Sequence, residues 1–212
     1  MSIPANPLLT GDVIKIISWN LLHTNGATLT DVLTLIRSED PDIVTFQEAR
    51  PELDMIQDEL GGEYHRTPLP GRTHGTAYWS RLPSHQKPTL CQLPRGVIVK
   101  RNAQIIDFKN FSVANVHLSH GQLLNRRQLK TTADSLPKHA LIIGDFNIVG
   151  PVFLPGFQDI GPRERTHHML NRLPLRLDRC LAKGFSRMEA KALPRFGSDH
   201  RPICLTLRLH SS

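Results

Sequence analysis

The sequence predicts a mixed α/β (α+β) fold built from two packed β-sheets with helices on their outside. Three observations lead there. Strand-like segments, nine or more, outnumber roughly three helices, which is too much β for one doubly wound sheet. The 212 residues contain no internal repeat and no low-complexity tract. No linker breaks the pattern, so one domain over residues 12–212 is expected behind a loose, flexible leader at 1–11.

Val13–Trp19 (VIKIISW) is apolar and β-branched, hence a strand. Leu29, Val32, Leu33 and Ile36 then recur at helical spacing, with Pro41 closing the helix. DIVTF at 42–46 reads as the next strand, and Pro51 opens a helix that Gly61-Gly62 ends. GTAYWSR, GVIVKR, AQIIDFK and FSVANVHL are short strand-like segments separated by turn residues. Gln122–Leu136 is a polar helix carrying Leu123, Leu124 and Leu129, stopped by Pro137. HALIIG, LRLDRCLA, FSRMEAKAL and RPICLTLRL supply the later strands.

Composition narrows the class. Hydrophobic residues make up 39% and the mean hydropathy is −0.26, as in soluble globular proteins. No apolar run approaches the ~20 residues that span a bilayer, and the N-terminus is a poor secretory signal. Cys91, Cys180 and Cys204 are too few and too scattered for a disulfide framework or a zinc site, so packed free thiols and a cytoplasmic setting are expected. The formal charge of +7 is lopsided. Residues 1–100 carry 9 Lys and Arg against 11 Asp and Glu, whereas 101–212 carry 17 against 8. A one-sided positive field draws phosphate-rich partners. It also serves solubility, so charge alone decides nothing.

Polar residues gather at strand ends: Asn20 after IISW, Glu48 after DIVTFQ, His117 in VANVHL, Asp145 and Asn147 after LIIG, Asp178 in LRLDRC, and Asp199-His200 before RPICLTL. Glu48 and Asn20 offer hard oxygen ligands, suited to Mg²⁺ or Mn²⁺ rather than zinc. His117 and His200, with Asp145, Asp178 and Asp199, offer proton transfer and phosphate contacts. Asp145 and Asn147 stand two apart, so an extended backbone would turn both into a site and Phe146 into the core. Each residue alone also admits a structural reading. Asn20 suits an Asx-turn, Asp199 a turn cap, Asp178 an ion pair with Arg176 or Arg179, and His117 a core position. Glu48 at the end of an apolar strand is harder to explain without a cation or dense hydrogen bonding.

IKIISWNLL, DPDIVTFQEAR, NVHLSHG, LIIGDFN and GSDHRPI, in this order, resemble the motif series of the endonuclease/exonuclease/phosphatase superfamily of metal-dependent phosphoesterases. The likeness runs from about Ile14 to Leu207, and GTAYWSRLP and LRLDRCLAKG resemble two further segments of that series. It implies a four-layer α/β/β/α sandwich of two mainly antiparallel sheets. It also implies a divalent ion, Mg²⁺ or Mn²⁺, held chiefly by Glu48 with Asn20 alongside and Asp199 as a further metal or water ligand. Asp145 would orient and deprotonate the attacking water, and Asn147 would hold the water or the phosphate. His200 would contact a non-bridging oxygen, with Asp178 fixing its orientation. His117 matches the position that contacts phosphate or assists the leaving group, and Arg126 or Arg127 the position of a phosphate-gripping cation.

Two departures bear on substrate. The deoxyribonuclease branch pairs the His117-like residue with a glutamate from the middle strands, yet no acidic residue lies between Glu63 and Asp107 here. Only 28 positions separate His117 from Asp145, which trims the loops where substrate selection resides. GQLLNRRQL and PGFQDIGPRERTHH, with Arg163, Arg165, His167 and His168, remain as specificity elements or solvated loops. Three functions follow: a nuclease, a phosphoesterase for lipid headgroups or small phosphorylated molecules, and a non-catalytic phosphate-binding module. The basic second half favours nucleic acid or another phosphate-rich substrate. No amphipathic basic helix is evident, so no stable membrane association is expected.

Overall fold

The described residues open with a β-α-β crossover and later repeat the same device, and these two units form the centres of two sheets. A computed structural model describes residues 12–96, 100–169 and 173–211. The order begins with β1 (Val13–Asn20), α1 (Leu29–Glu39) and β2 (Ile43–Ala49), then a 3₁₀ turn (Pro51–Met55) leading into α2 (Ile56–Leu60). β3 (Glu63–Pro68), β4 (Gly75–Ser80), β5 (Thr89–Gln92), β6 (Asn102–Asp107) and β7 (Ser112–His117) follow. α3 (Gln122–Asp134) leads to β8 (Ala140–Asp145). The last third holds β9 (Gln158–Asp159), β10 (His167–Met169), β11 (Leu173–Leu175), β12 (Asp178–Lys183), β13 (Phe185–Ala192) and β14 (Ile203–Leu209).

One six-stranded sheet runs β13-β14-β1-β2-β4-β3 and the other β5-β6-β7-β8-β12-β9. Each is antiparallel except for one central parallel pair, β1 with β2 and β7 with β8. A parallel pair needs a crossover, and α1 and α3 supply it. Alternation along the strands builds the layers. Ile14 and Ile16 of β1 meet Leu141 and Ile143 of β8 between the sheets. Ile17 and Trp19 point the other way, onto Val32, Leu35 and Ile36 of α1. Ile142 and Leu181 likewise pack outward against Leu129 of α3. Both faces of the central strands are therefore buried, which is why they read as continuous apolar runs. The four-layer sandwich expected from the sequence is the fold observed.

α1 begins at Thr28, whose hydroxyl accepts from the Asp31 N–H while the Asp31 carboxylate accepts from the Thr28 N–H, a reciprocal capping box. It ends at Asp40, in a left-handed conformation just before Pro41.

Several elements differ from the sequence reading. The helix at Pro51 starts as a 3₁₀ turn. LRLDRCLA is not one strand: Leu175 ends a hairpin with β10, and β12 starts at Asp178. β3 and β5 were not expected, because EYHRTP and TLCQ show no apolar alternation. Part of GVIVKR, and the leader at 1–11, lie outside the described residues. The three cysteines are free, with Cys180 and Cys204 buried. Among the described residues no helix is long and apolar enough to cross a membrane.

Candidate active site

The two parallel pairs deliver their C-terminal ends to the same rim. Asn20 is the last residue of β1, Glu48 lies near the end of β2, and His117 and Asp145 are paired at the ends of β7 and β8. Gly144 permits this approach: a Cβ there would lie 2.0 Å from the Val116 carbonyl oxygen of the neighbouring strand. Glu48 sits where the β2–β4 register shifts, with φ of 58°. A non-glycine residue in that region is strained, and a bulge that re-aims a carboxylate is a recurring feature of functional sites. Below the rim the sheets are tied by a buried polar bridge. Gln47 Nε2 donates to Asn115 Oδ1 (2.7 Å) and Ser18 Oγ (3.1 Å), and Asn115 Nδ2 donates to the Phe46 and Ala77 carbonyls.

The loop before β14 closes the rim. Ser198 Oγ donates to the Asn20 carbonyl (2.7 Å) and accepts from the His200 N–H (3.1 Å). His200 is thereby held over β12, where its Nδ1 lies 2.8 Å from Asp178 Oδ2. Thr166 Oγ1 accepts from the Asp178 N–H (3.1 Å), fixing the backbone that presents this carboxylate.

Asp145 is the centre of convergence. Its Oδ2 accepts from Asn20 Nδ2 (3.1 Å) and Asn147 Nδ2 (3.2 Å), and lies 3.5 Å from His117 Nε2 and 3.9 Å from His200 Nε2. His117 Nε2 is also 3.9 Å from Glu48 Oε1. Burial raises the Asp145 carboxyl above its usual range; the His200 charge opposes this and the Asp178 charge reinforces it. Burial works against a charged His200, but Asp178 and Asp145 outweigh it and lift the imidazole to about 9. His117 goes the other way, held neutral by burial and then by the Arg101 charge.

All eight rim residues expected from the sequence come together: Asn20, Glu48, His117, Asp145, Asn147, Asp199 and His200 line one cleft of about 350 Å³, with Asp178 behind His200. Some details differ from the sequence reading. Asn147 faces the cleft through an Asx-turn, its N–H donating to Asp145 Oδ1 (3.0 Å) with φ of 51°, rather than through strand alternation. Asn20 makes its Asx-turn too, accepting from the Leu22 N–H (3.1 Å) while its amide reaches Asp145. Asp178 ignores Arg176 and Arg179, which both pair with Asp159 instead. Arg126 and Arg127 are not brought to the cleft lining: Arg126 donates twice to the Pro151 carbonyl on the outer side of α3, and Arg127 is exposed.

Three further residues stand at the site; His23 and Arg101 escaped the sequence reading, and His167 was expected only within a specificity element or solvated loop. His23 contacts Glu48 Oε2 through its ring Nδ1 and its N–H, which with the charge of His74 holds the Glu48 carboxyl below its usual range despite burial. His167 Nε2 stands 3.3 Å from Asp199 Oδ2. Arg101 is 9% exposed, its Nε has no partner, and among the described residues its side chain makes no hydrogen bond or ion pair. Burial lowers its pKa, opposed by the charges of Asp145 and Glu48. In the sequence Arg101 follows Lys100 and precedes Asn102, and nothing there marks it as buried.

The donor chemistry fits a hard divalent cation. Glu48, Asp145 and Asp199 bring carboxylate oxygens to one cleft, and Asn20 Oδ1 retains a lone pair beyond its bond to Leu22. A second grouping, His167, Asp199 and His200, holds ligand atoms within 4.8 Å of one another.

A buried carboxylate with a raised pKa, an imidazole lifted to about 9 beside it and a set of carboxylate oxygens facing one cleft are the kinds of group that phosphoester hydrolysis uses. The chain belongs to the endonuclease/exonuclease/phosphatase family, whose sequence profile matches residues 17–200, and it is a phosphoester-hydrolysing enzyme. Solved structures share its fold. A humanized D. rerio TDP2 carrying 14 mutations is 16% identical with a TM-score of 0.76, over 92% of this chain and 99% of that one. A functionally unknown conserved protein from Enterococcus faecalis V583 is 18% identical with a TM-score of 0.73, over 93% and 100%. The human Nocturnin catalytic domain, with a bound sulfate, is 17% identical with a TM-score of 0.68, over 93% of each chain. Comparison with curated proteins finds no match.

Proposed function

We propose that this protein is a Mg²⁺- or Mn²⁺-dependent phosphodiesterase that cleaves nucleic acid by in-line attack of water, as one cytoplasmic domain over residues 12–212. The observation that carries the reading is the convergence of Asn20, Asn147, His117 and His200 on a single oxygen of Asp145. The D. rerio TDP2 structure solved with a single-strand DNA product lends support by likeness of fold. So does the basic second half of the chain.

Asp145 takes the proton of the attacking water, and its raised affinity for protons suits that task. Both hydrogens of Asn147 Nδ2 are engaged, by the Leu118 carbonyl (3.0 Å) and Asp145. Its Oδ1 is thus an acceptor, fit to orient the water rather than to grip a phosphate oxygen. His200, protonated, donates from Nε2 to a non-bridging oxygen as charge develops on it, and Asp178 fixes its ring. His117, neutral, offers Nε2–H between Asp145 and Glu48, where the deoxyribonuclease branch would set a charged pair. Arg101 adds an unneutralised positive charge behind the same carboxylates. Glu48, Asn20 and Asp199 would hold the divalent ion, which when bound supplies Lewis-acid stabilisation of the phosphate charge.

The test is a substrate panel with Mg²⁺ or Mn²⁺ and a chelator control, spanning plasmid DNA, abasic oligonucleotide, RNA, sphingomyelin and inositol phosphates. Cleavage of DNA or RNA that falls steeply with salt supports the reading. Turnover confined to sphingomyelin or inositol phosphates, flat in salt, would replace it with the lipid or small-molecule reading. Phosphate binding without turnover of any substrate would leave the non-catalytic module.

A further inference from the structure

A second cavity, of about 610 Å³, adjoins the active-site cleft and shares Val149 and Leu175 with it. Three arginines, Arg163, Arg176 and Arg179, line it against one carboxylate, Asp159. Arg176 forks onto Asp159 at 2.7 and 2.8 Å, and Arg179 Nη1 adds a third contact at 3.0 Å. Arg179 Nη2 donates to the Gly150 carbonyl (2.7 Å), yet its Nε is fully buried without a partner and the residue is 3% exposed. Arg163 is exposed and, among the described residues, makes no hydrogen bond or ion pair. One negative charge facing three guanidinium groups leaves two positive charges unanswered in a concave site. Stability alone does not favour that arrangement, since like charges repel and buried charge is costly to leave unpaired.

We propose that this cavity is a subsite for a second, non-scissile phosphate group of the substrate, held while Asp145 and His200 act on the first. Guanidinium groups match phosphate oxygens in geometry as well as charge. Asp159 and the backbone carbonyls lock Arg176 and Arg179 in place, and Arg163 closes on the anion from the open side. The inference rests on the phosphodiesterase reading and extends it to substrates with at least two phosphates. Their source is a polynucleotide strand or a small polyphosphorylated molecule.

The experiment measures binding to the Asp145→Asn protein with Mg²⁺, so that turnover does not intervene. Probes are a dinucleoside monophosphate, the same dinucleotide with a terminal phosphate at either end, and inositol hexakisphosphate. Arg163→Gln is the variant, since an exposed side chain without partners can be changed without unfolding the chain; Arg163→Glu is the second. The expected result is about tenfold tighter binding of one terminally phosphorylated dinucleotide than of its parent, an advantage lost in Arg163→Gln and reversed in Arg163→Glu. Arg163-dependent binding of inositol hexakisphosphate, with no binding of any dinucleotide, would keep the subsite and sink the nucleic-acid reading. Equal binding by the parent and both Arg163 variants, for every probe, would overturn the proposal while leaving the active-site reading intact.

Discussion

Asp145 and Asp178 face each other directly across β8 and β12, and both are almost completely buried, at 2% and 0% exposure. Like charges in that position are destabilising. The arrangement persists because His200 stands between them, 2.8 Å from Asp178 and 3.9 Å from Asp145.

Removing that imidazole should therefore cost stability as well as activity. His200→Ala is expected to lose about 3–5 kcal/mol, the scale for breaking a buried ion pair from one side. The double variant His200→Ala, Asp178→Asn should regain part of it. Denaturant titration checks both, and a double variant no more stable than the single one would show that the carboxylates do not repel.

The charge of His200 also sets a pH window. Its pKa is raised to about 9 from an ordinary 6.5, so its stabilising contribution is complete below the unfolded value and fades as pH rises through about 9. Turnover should fall over the same alkaline range. In Asp178→Asn that limb should move toward neutrality, because Asp178 is the main partner raising the pKa. A pH–rate profile of the two proteins tests this.

Asp159 should govern acid stability. Burial raises its carboxyl, but Arg176 and Arg179 overcome this and hold it below the ordinary value. The ion pairs then contribute above the unfolded pKa of about 4 and are lost as pH falls through the depressed folded value. Melting temperatures between about pH 6 and 2 should fall more steeply for the parent than for Asp159→Asn.

Arg101 separates function from stability. Arg101→Met removes a buried, unpaired charge, so the melting temperature should hold or rise. Activity should nonetheless fall about tenfold to a hundredfold as the site loses electrostatic support. Unchanged kinetics would remove Arg101 from the mechanism.

Much of this was legible in the sequence because both faces of the central strands are buried. Runs such as VIKIISW and ALIIG declare themselves, and the polar residues that end them stand out. What stayed hidden depends on partners distant in sequence. β3 pairs only on one side, at a sheet edge, and EYHRTP carries no apolar rhythm to betray it. Asp178 has Arg176 two positions before it and Arg179 directly after it, yet finds a histidine 22 positions away. Asn115 lies in a strand without any mark of being the bridge between sheets. Arg126 and Arg127 follow the expected motif, but the first is claimed by the Pro151 carbonyl.

The most direct measurement compares hydrolysis of bis(p-nitrophenyl) phosphate in Mg²⁺ by the parent and by Asp145→Asn, with a chelator control and a denaturation curve for each. Turnover should vanish with chelation and drop by about 10²–10⁴-fold in the variant, the contribution of a positioned base, with folding intact. Side chains far apart along the polypeptide would then be acting as one centre around that carboxylate. Equal rates in the two folded proteins would show that the chemistry, if any, happens elsewhere.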